Sequence, residues 1–94
     1  MNTGRKVNQV EYSTKYLRSF HKLPHAVQER ARERERTFYV DPFDARLETH
    51  KLHGKFQDYW AYSVDHKYRV VFRFVSGSDV LFFDIVLHKI YGGE

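Results

Sequence analysis

Apolar positions in this chain recur with two different periods, and the change falls after the connector that ends near Glu48. Before it the spacing is close to 3.6. Tyr16, Leu17 and Phe20 follow Ser13, a good N-cap, and predict a first helix over about Ser13 to Lys22. Pro24 suits the first turn of a second helix, with Ala26, Val27 and Ala31 on its apolar side, and Asp41-Pro42 ends it. Upstream, Val7 to Tyr12 alternates and predicts a short strand, while Met1 to Lys6 is expected to fray. The stretch to Glu48 reads as a connector with room for one helical turn.

Beyond the connector the period is 2. Ser76-Gly77-Ser78 is the clearest turn, and taken as a hairpin tip it sets Phe74 near Leu81, Phe72 near Phe83 and Val70 near Ile85 on one apolar face. The opposite face then carries Arg69, Val71 and Arg73 on one strand and Phe82, Asp84, Val86 and His88 on the next, with Arg69 and His88 at the same end. A three-residue loop, Asp65-His66-Lys67, pairs Val64 with Tyr68, Tyr62 with Val70 and Trp60 with Phe72, which sends Trp60 and Tyr62 into the core and leaves Ser63 beside Arg69. A two-residue loop would bury Ala61 and Ser63 instead, so the longer loop is preferred. The expected fold class is α+β: an N-terminal helical hairpin packed on one face of a mostly antiparallel four- to five-stranded sheet.

Composition narrows the class. Ninety-four residues make one domain over 1–94, and 8 Phe, 7 Tyr and 1 Trp supply large buried areas. A net charge of +4 favours polyanions or acidic proteins as partners. Without cysteine there is neither a disulfide framework nor a thiolate zinc site. No apolar run reaches membrane-spanning length and the start lacks that of a signal peptide, so the expected location is the cytoplasm, with no membrane partner. The run Glu29 to Arg36 alternates in sign and reads as a solvated helix face laced with weak ion pairs, with RNA contact by its arginines the lesser reading.

The polar face carries the candidate chemistry. Arg69 and His88 share one end of the sheet, Lys51, His53 and Lys55 arrive from the preceding strand, and Lys89 and Tyr91 follow in the tail. Guanidinium offers forked donors to phosphate oxygens, lysine a movable charge, and imidazole a proton donor or acceptor near neutral pH. RNA cleavage by the neighbouring 2'-hydroxyl needs a base for that hydroxyl, an acid for the departing 5'-oxygen and cations for the extra charge on phosphorus. It needs no cofactor and no metal, and no metal site is expected. His50 and His53, three apart on a strand, would point to opposite faces with no carboxylate cluster to complete a shell. Asp84 is expected to pair with a cation, Arg73 being the nearest cross-strand choice, and Gly54 to serve a turn.

The pattern LHGKFQDYWAYSVDHKYRVVFRF followed by DVLFFDIVLHKIY resembles the RelE/ParE superfamily of toxin–antitoxin toxins over roughly Tyr12 to Tyr91. The shared features are a Leu-x-Gly turn, a Trp-containing strand, a Tyr-Arg-Val strand and a closing Ile-x-x-His followed by Tyr. RelE-, YafQ- and HigB-like members cut mRNA on the ribosome, whereas ParE-type members poison DNA gyrase. The resemblance implies that Arg69 holds the scissile phosphate, that His88 serves in proton transfer, and that His50 is a further catalytic candidate. Lys51, His53, Lys55, Arg73, Lys89 and Tyr91 would then bind RNA. Ser63 stands where an arginine or histidine is frequent, and the tail from His88 to Tyr91 is short by a residue or so. The implied partners are an acidic antitoxin and mRNA in the ribosomal A site, or gyrase for a ParE-like toxin.

Overall fold

The computed structural model describes residues 6–89, so most of the segment expected to fray lies outside the described residues. The elements run β1 (Gln9–Tyr12), α1 (Thr14–His21), α2 (His25–Val40), a 3-10 turn (Ala45–Leu47), β2 (His50–Lys51), a second 3-10 turn (Gly54–Phe56), β3 (Trp60–Ser63), β4 (Tyr68–Ser76) and β5 (Asp79–Leu87). They form a five-stranded mixed sheet in the order β1-β5-β4-β3-β2. All neighbours are antiparallel except β1, which runs parallel to β5 from Gln9 opposite Asp79 to Tyr12 opposite Phe82. The sheet is therefore not purely antiparallel. The βαα passage that carries the chain away from β1 is what allows a later strand to return beside it in the same direction.

Local rules set the helix limits. Ser13 accepts a hydrogen bond from the Tyr16 amide at 2.9 Å, and Lys22 closes α1. Pro24 opens α2, and Asp41 leaves helical geometry with Pro42 behind it. Both helices cover one face of the sheet. There Phe38 of α2 stacks on Tyr62 at 4.9 Å and meets Phe72 and Phe82 edge-on at 4.9 and 5.4 Å. Around these rings lie Tyr16, Ala31, Leu47, Val64, Val70, Val80 and Ile85, all buried.

The β3–β4 register is the expected one. Trp60 faces Phe72, Tyr62 faces Val70, Ser63 faces Arg69, and the Val64 amide donates to the Tyr68 carbonyl at 2.9 Å. Asp65 closes the loop by accepting from the Lys67 and Tyr68 amides at 2.8 and 2.9 Å.

The β4–β5 register departs from expectation. Val70 faces Ile85 as expected, but Phe72 faces Phe82 and Phe74 faces Val80, with irregularities between Val71 and Phe72 and between Phe74 and Ser76. Phe83 is the extra residue of a bulge, so Phe82 joins the helix-covered core and Phe83 turns to the other face, the reverse of the expected arrangement. The hairpin tip shortens to Gly77-Ser78, with Ser76 opposite Asp79 and Gly77 at φ +49°.

The cap of α1 accounts for the bulge. Where β1 ends, the Ser13 amide donates to the Phe82 carbonyl at 3.0 Å and its hydroxyl to the Phe83 carbonyl at 2.6 Å. From there α1, not a strand, lines the outer edge of β5. Asp84 is buried and accepts from the Ser19 hydroxyl at 2.7 Å and its neighbour's amide at 2.9 Å, with Lys15 Nζ 3.8 Å away. Its cation is thus Lys15 on α1, whereas Arg73 lies opposite Leu81.

The face away from the helices is not uniformly polar. Leu52, Ala61 and Val71 are buried there, with Phe56, Tyr59, Phe83 and Val86 packed around them. The loop carrying the Gly54–Phe56 turn supplies this cover, and Gly54 enters it at φ +67°. No helix among the described residues is long and apolar enough to cross a membrane.

Candidate functional site

The β4–β5 ladder brings Arg69 and His88 to one end of the sheet. Arg69 lies opposite Val86, Tyr68 opposite Leu87, and the His88 amide donates to the Lys67 carbonyl at 2.8 Å, which extends the pairing one step past the strand. His88 and Lys89 are exposed in the turn that follows. Tyr91 lies outside the described residues.

Arg69 is half-buried and held by the loop before it. Its Nη1 donates to the carbonyls of Asp65 at 2.7 Å and Tyr68 at 3.1 Å. These bonds fix the guanidinium at the sheet end, where Arg69 helps to line a hollow of about 370 Å³. The floor of that hollow is Ser63 and Val64, and its walls include Arg30 and Arg34 of α2, Arg46, Glu48 and His66. Arg46 is held by Asp44 through two bonds of 2.9 and 2.8 Å, and that guanidinium pulls the Asp44 carboxyl down to about 2. His88 is not among the residues that line the hollow.

The remaining candidates scatter. His50 lies opposite Ala61 on the face away from the helices, and its Nδ1 is 3.0 Å from the Glu48 carbonyl oxygen. A carbonyl can only accept, so this contact assigns the ring proton to Nδ1, while Nε2 is enclosed by protein. A part in proton transfer would require the ring to turn outward. Lys51 lies opposite Trp60 and therefore on the helix side, with Nζ 5.8 Å from the indole centre. Lys55 reaches over Phe56 at 5.9 Å. His53 is exposed and precedes the Gly54–Phe56 turn rather than extending a strand, so the expected opposition of His50 and His53 across a strand does not arise. Arg73 is half-buried on β4, four residues beyond Arg69. No group of three His, Asp or Glu side chains that could hold a metal occurs among the described residues.

Arg30, Arg34, Arg46 and His66 were not singled out by sequence reasoning. The run containing Arg30 and Arg34 reads as solvated because its charges alternate, yet Arg34 is half-buried and its Nε points at the Val64 carbonyl, 3.4 Å away. The missed signal is that Arg30 and Arg34 are four apart, one helical turn, and so share a face.

Comparison of this architecture with solved structures gives consistent neighbours. The toxin–antitoxin complex RelBE2 from Mycobacterium tuberculosis superposes with a TM-score of 0.75 at 17% identity, covering 90% of this chain and 97% of that one. A YoeB/ParE toxin from Agrobacterium tumefaciens gives 0.73 at 16%, covering 86% and 99%. YafQ from E. coli gives 0.65 at 15%, covering 89% and 97%. This is the fold of the RelE/ParE toxins. No protein-family model and no curated protein matches the sequence, so the likeness is one of fold. Within that RelE/ParE-like fold, Tyr68-Arg69-Val70 opens the central β4 and His88 follows β5.

Proposed function

We propose that this protein is the toxin of a type II toxin–antitoxin pair, acting in the cytoplasm as an endoribonuclease on mRNA in the ribosomal A site. The observation that carries the reading is Arg69, a permanent cation anchored by two loop carbonyls at the sheet end where the ladder closes on an exposed imidazole, His88. In the proposed reaction the ribose 2'-hydroxyl loses its proton and attacks the adjacent phosphorus. The P–O5' bond breaks, and the departing oxygen takes up a proton. The products are a 2',3'-cyclic phosphate and a 5'-hydroxyl. Arg69 offsets the added charge on phosphorus, and His88 gives or takes the proton. Lys89 stands next to His88 and can hold the strand; His50, Lys51, His53, Lys55, Arg73 and Tyr91 are assigned lesser parts. The reaction uses protein groups alone.

A second reading, a ParE-like protein that binds gyrase and cuts no RNA, is favoured by one observation: His88 does not line the hollow that Arg69 faces. Either reading supplies a partner. RelBE2 is a complex of toxin with antitoxin, and a net charge of +4 suits an acidic, partly disordered antitoxin whose complex weakens with salt.

Mapping transcript ends and their chemistry after brief induction separates the readings. The nuclease reading expects cuts with cyclic phosphate and 5'-hydroxyl ends, and a rate lower by about 10²–10⁴-fold in His88→Ala. Intact mRNA with a DNA-damage response would favour gyrase, and undiminished cutting by the variant would remove His88 from the mechanism.

A further inference from the structure

The hollow beside Arg69 is built by three separate parts of the chain: α2, the Ala45–Leu47 turn and the β3–β4 end. It gathers four guanidinium groups, Arg30, Arg34, Arg46 and Arg69, against two lining carboxylates, Glu48 and Asp65, while a third carboxylate, Asp44, is paired with Arg46. Those carboxylates are already engaged. Asp65 accepts from two amides of its own loop, and Glu48 accepts from the Ser63 hydroxyl at 3.3 Å. Arg30 is exposed and its side chain makes no ion pair or hydrogen bond among the described residues. Arginines that line one open hollow repel, and an anion among them offsets that cost while using their forked donors. A volume of about 370 Å³ falls within the range of small-ligand sites.

We propose that this hollow is an RNA-backbone subsite. It holds the phosphodiester adjacent to the one at Arg69, with Arg30 and Arg34 as the principal ligands and Arg46 as a flanking charge. The inference rests on the protein being an RNA binder, and it adds the path of the strand, which runs from the sheet end across the middle of α2. A phosphate diester is the favoured occupant because Arg69, at the margin of the same hollow, is the group best placed to hold a neighbouring phosphate. The four-residue spacing of Arg30 and Arg34 also presents two forks on one helix face.

The test measures binding of a 2'-O-methyl RNA of about six nucleotides, which lacks the attacking hydroxyl and so reports binding without cleavage, across a series of salt concentrations. Arg30→Gln with Arg34→Gln should weaken binding about tenfold and lower the slope of log affinity against log salt by about 0.7, one single-strand phosphate contact. Arg30→Gln alone, at an exposed position where folding is not at stake, should cost about threefold. Arg36→Gln makes the same charge change on α2 outside the hollow and should stay within about twofold of the parent.

Equal affinity for the double variant and the parent overturns the subsite, as does an equal loss in Arg36→Gln, which would mean diffuse attraction only. Absence of binding by the parent overturns it too. The nuclease reading fails separately. A parent that binds this RNA through Arg30 and Arg34 yet never cuts mRNA on ribosomes keeps the subsite and loses the reaction. A parent that cuts while the double variant binds undiminished keeps the reaction and loses the subsite.

Discussion

The two faces of the sheet are built from similar residues to different ends. Under the helices, Phe38, Tyr62, Phe72 and Phe82 form one closed aromatic contact set, and each is fully buried. On the other face, Leu52, Ala61 and Val71 are buried only because a short loop lays Phe56 and Tyr59 over them. The first face has a partner layer and carries the core; the second has a partial lid and borders the cationic end of the sheet. Stability is therefore concentrated in an apolar core that contains no candidate functional side chain, while Arg69 occupies the rim and is half-exposed.

The sharpest way to break this comparison is to truncate one residue on each face. Phe38→Ala removes the ring that three others pack against and should cost about 3–5 kcal/mol, whereas Leu52→Ala, beneath a thin cover that can settle, should cost about 2 kcal/mol. Urea unfolding of both variants measures the gap. Equal losses would mean that the lidded face is a second core, and the division of labour between the faces would fall.

What was legible in the sequence follows the same division. The β3–β4 pairing could be read because a wrong loop length would have buried Ser63 and Ala61 in place of Tyr62 and Trp60, a large energetic difference. In the structure Ala61 and Ser63 are buried as well, on the lidded face, but the register holds. The β4–β5 pairing could not be read so well. Phe82 and Phe83 are adjacent and alike, so alternation cannot say which enters the core, and the bulge that decides it is set by Ser13, about seventy residues away in sequence. The parallel partnership of β1 was hidden for a related reason, since a four-residue strand carries no mark of its neighbour's direction. At the site, Arg69 and His88 were legible as occupants of one sheet end because one sits on β4 and the other directly follows its paired strand β5. The hollow was not, since it joins α2 to the sheet and helical periodicity says nothing about what lies opposite an exposed arginine.

Asp84 marks the boundary between the two faces, and its tie to α1 gives the next test. The buried carboxylate draws on the Ser19 hydroxyl, the Ile85 amide and the more distant Lys15. Ser19→Ala deletes one donor to a charged group and should cost about 1–2 kcal/mol, less than the Phe38 truncation. The unfolding midpoint is again the measurement. A loss within experimental error would mean that the remaining contacts hold the carboxylate unaided and that α1 is attached by its apolar face alone.

The smallest effect concerns Glu35, a carboxylate set into the helical layer beside Tyr12, Tyr16 and Phe20. Burial raises its pKa above the ordinary 4.5, against the opposing pull of the Tyr12 hydroxyl, which donates to it, and of Arg32. A raised folded-state pKa means that the folded form holds the proton more tightly than the unfolded one. The resulting stabilisation is fully present below the unfolded value and is lost as pH rises through the folded value. Glu35→Gln removes this titration, so the variant should gain on the parent as pH climbs from about 4 to about 8, by under about 1 kcal/mol because solvent still reaches the group. Thermal unfolding of the two proteins across that range is the check. A parent that instead gains on the variant with rising pH would mean that the Tyr12 and Arg32 contacts outweigh burial. Glu35 would then be a favourable anion in the helical layer, the second enclosed carboxylate after Asp84 that its contacts keep in place.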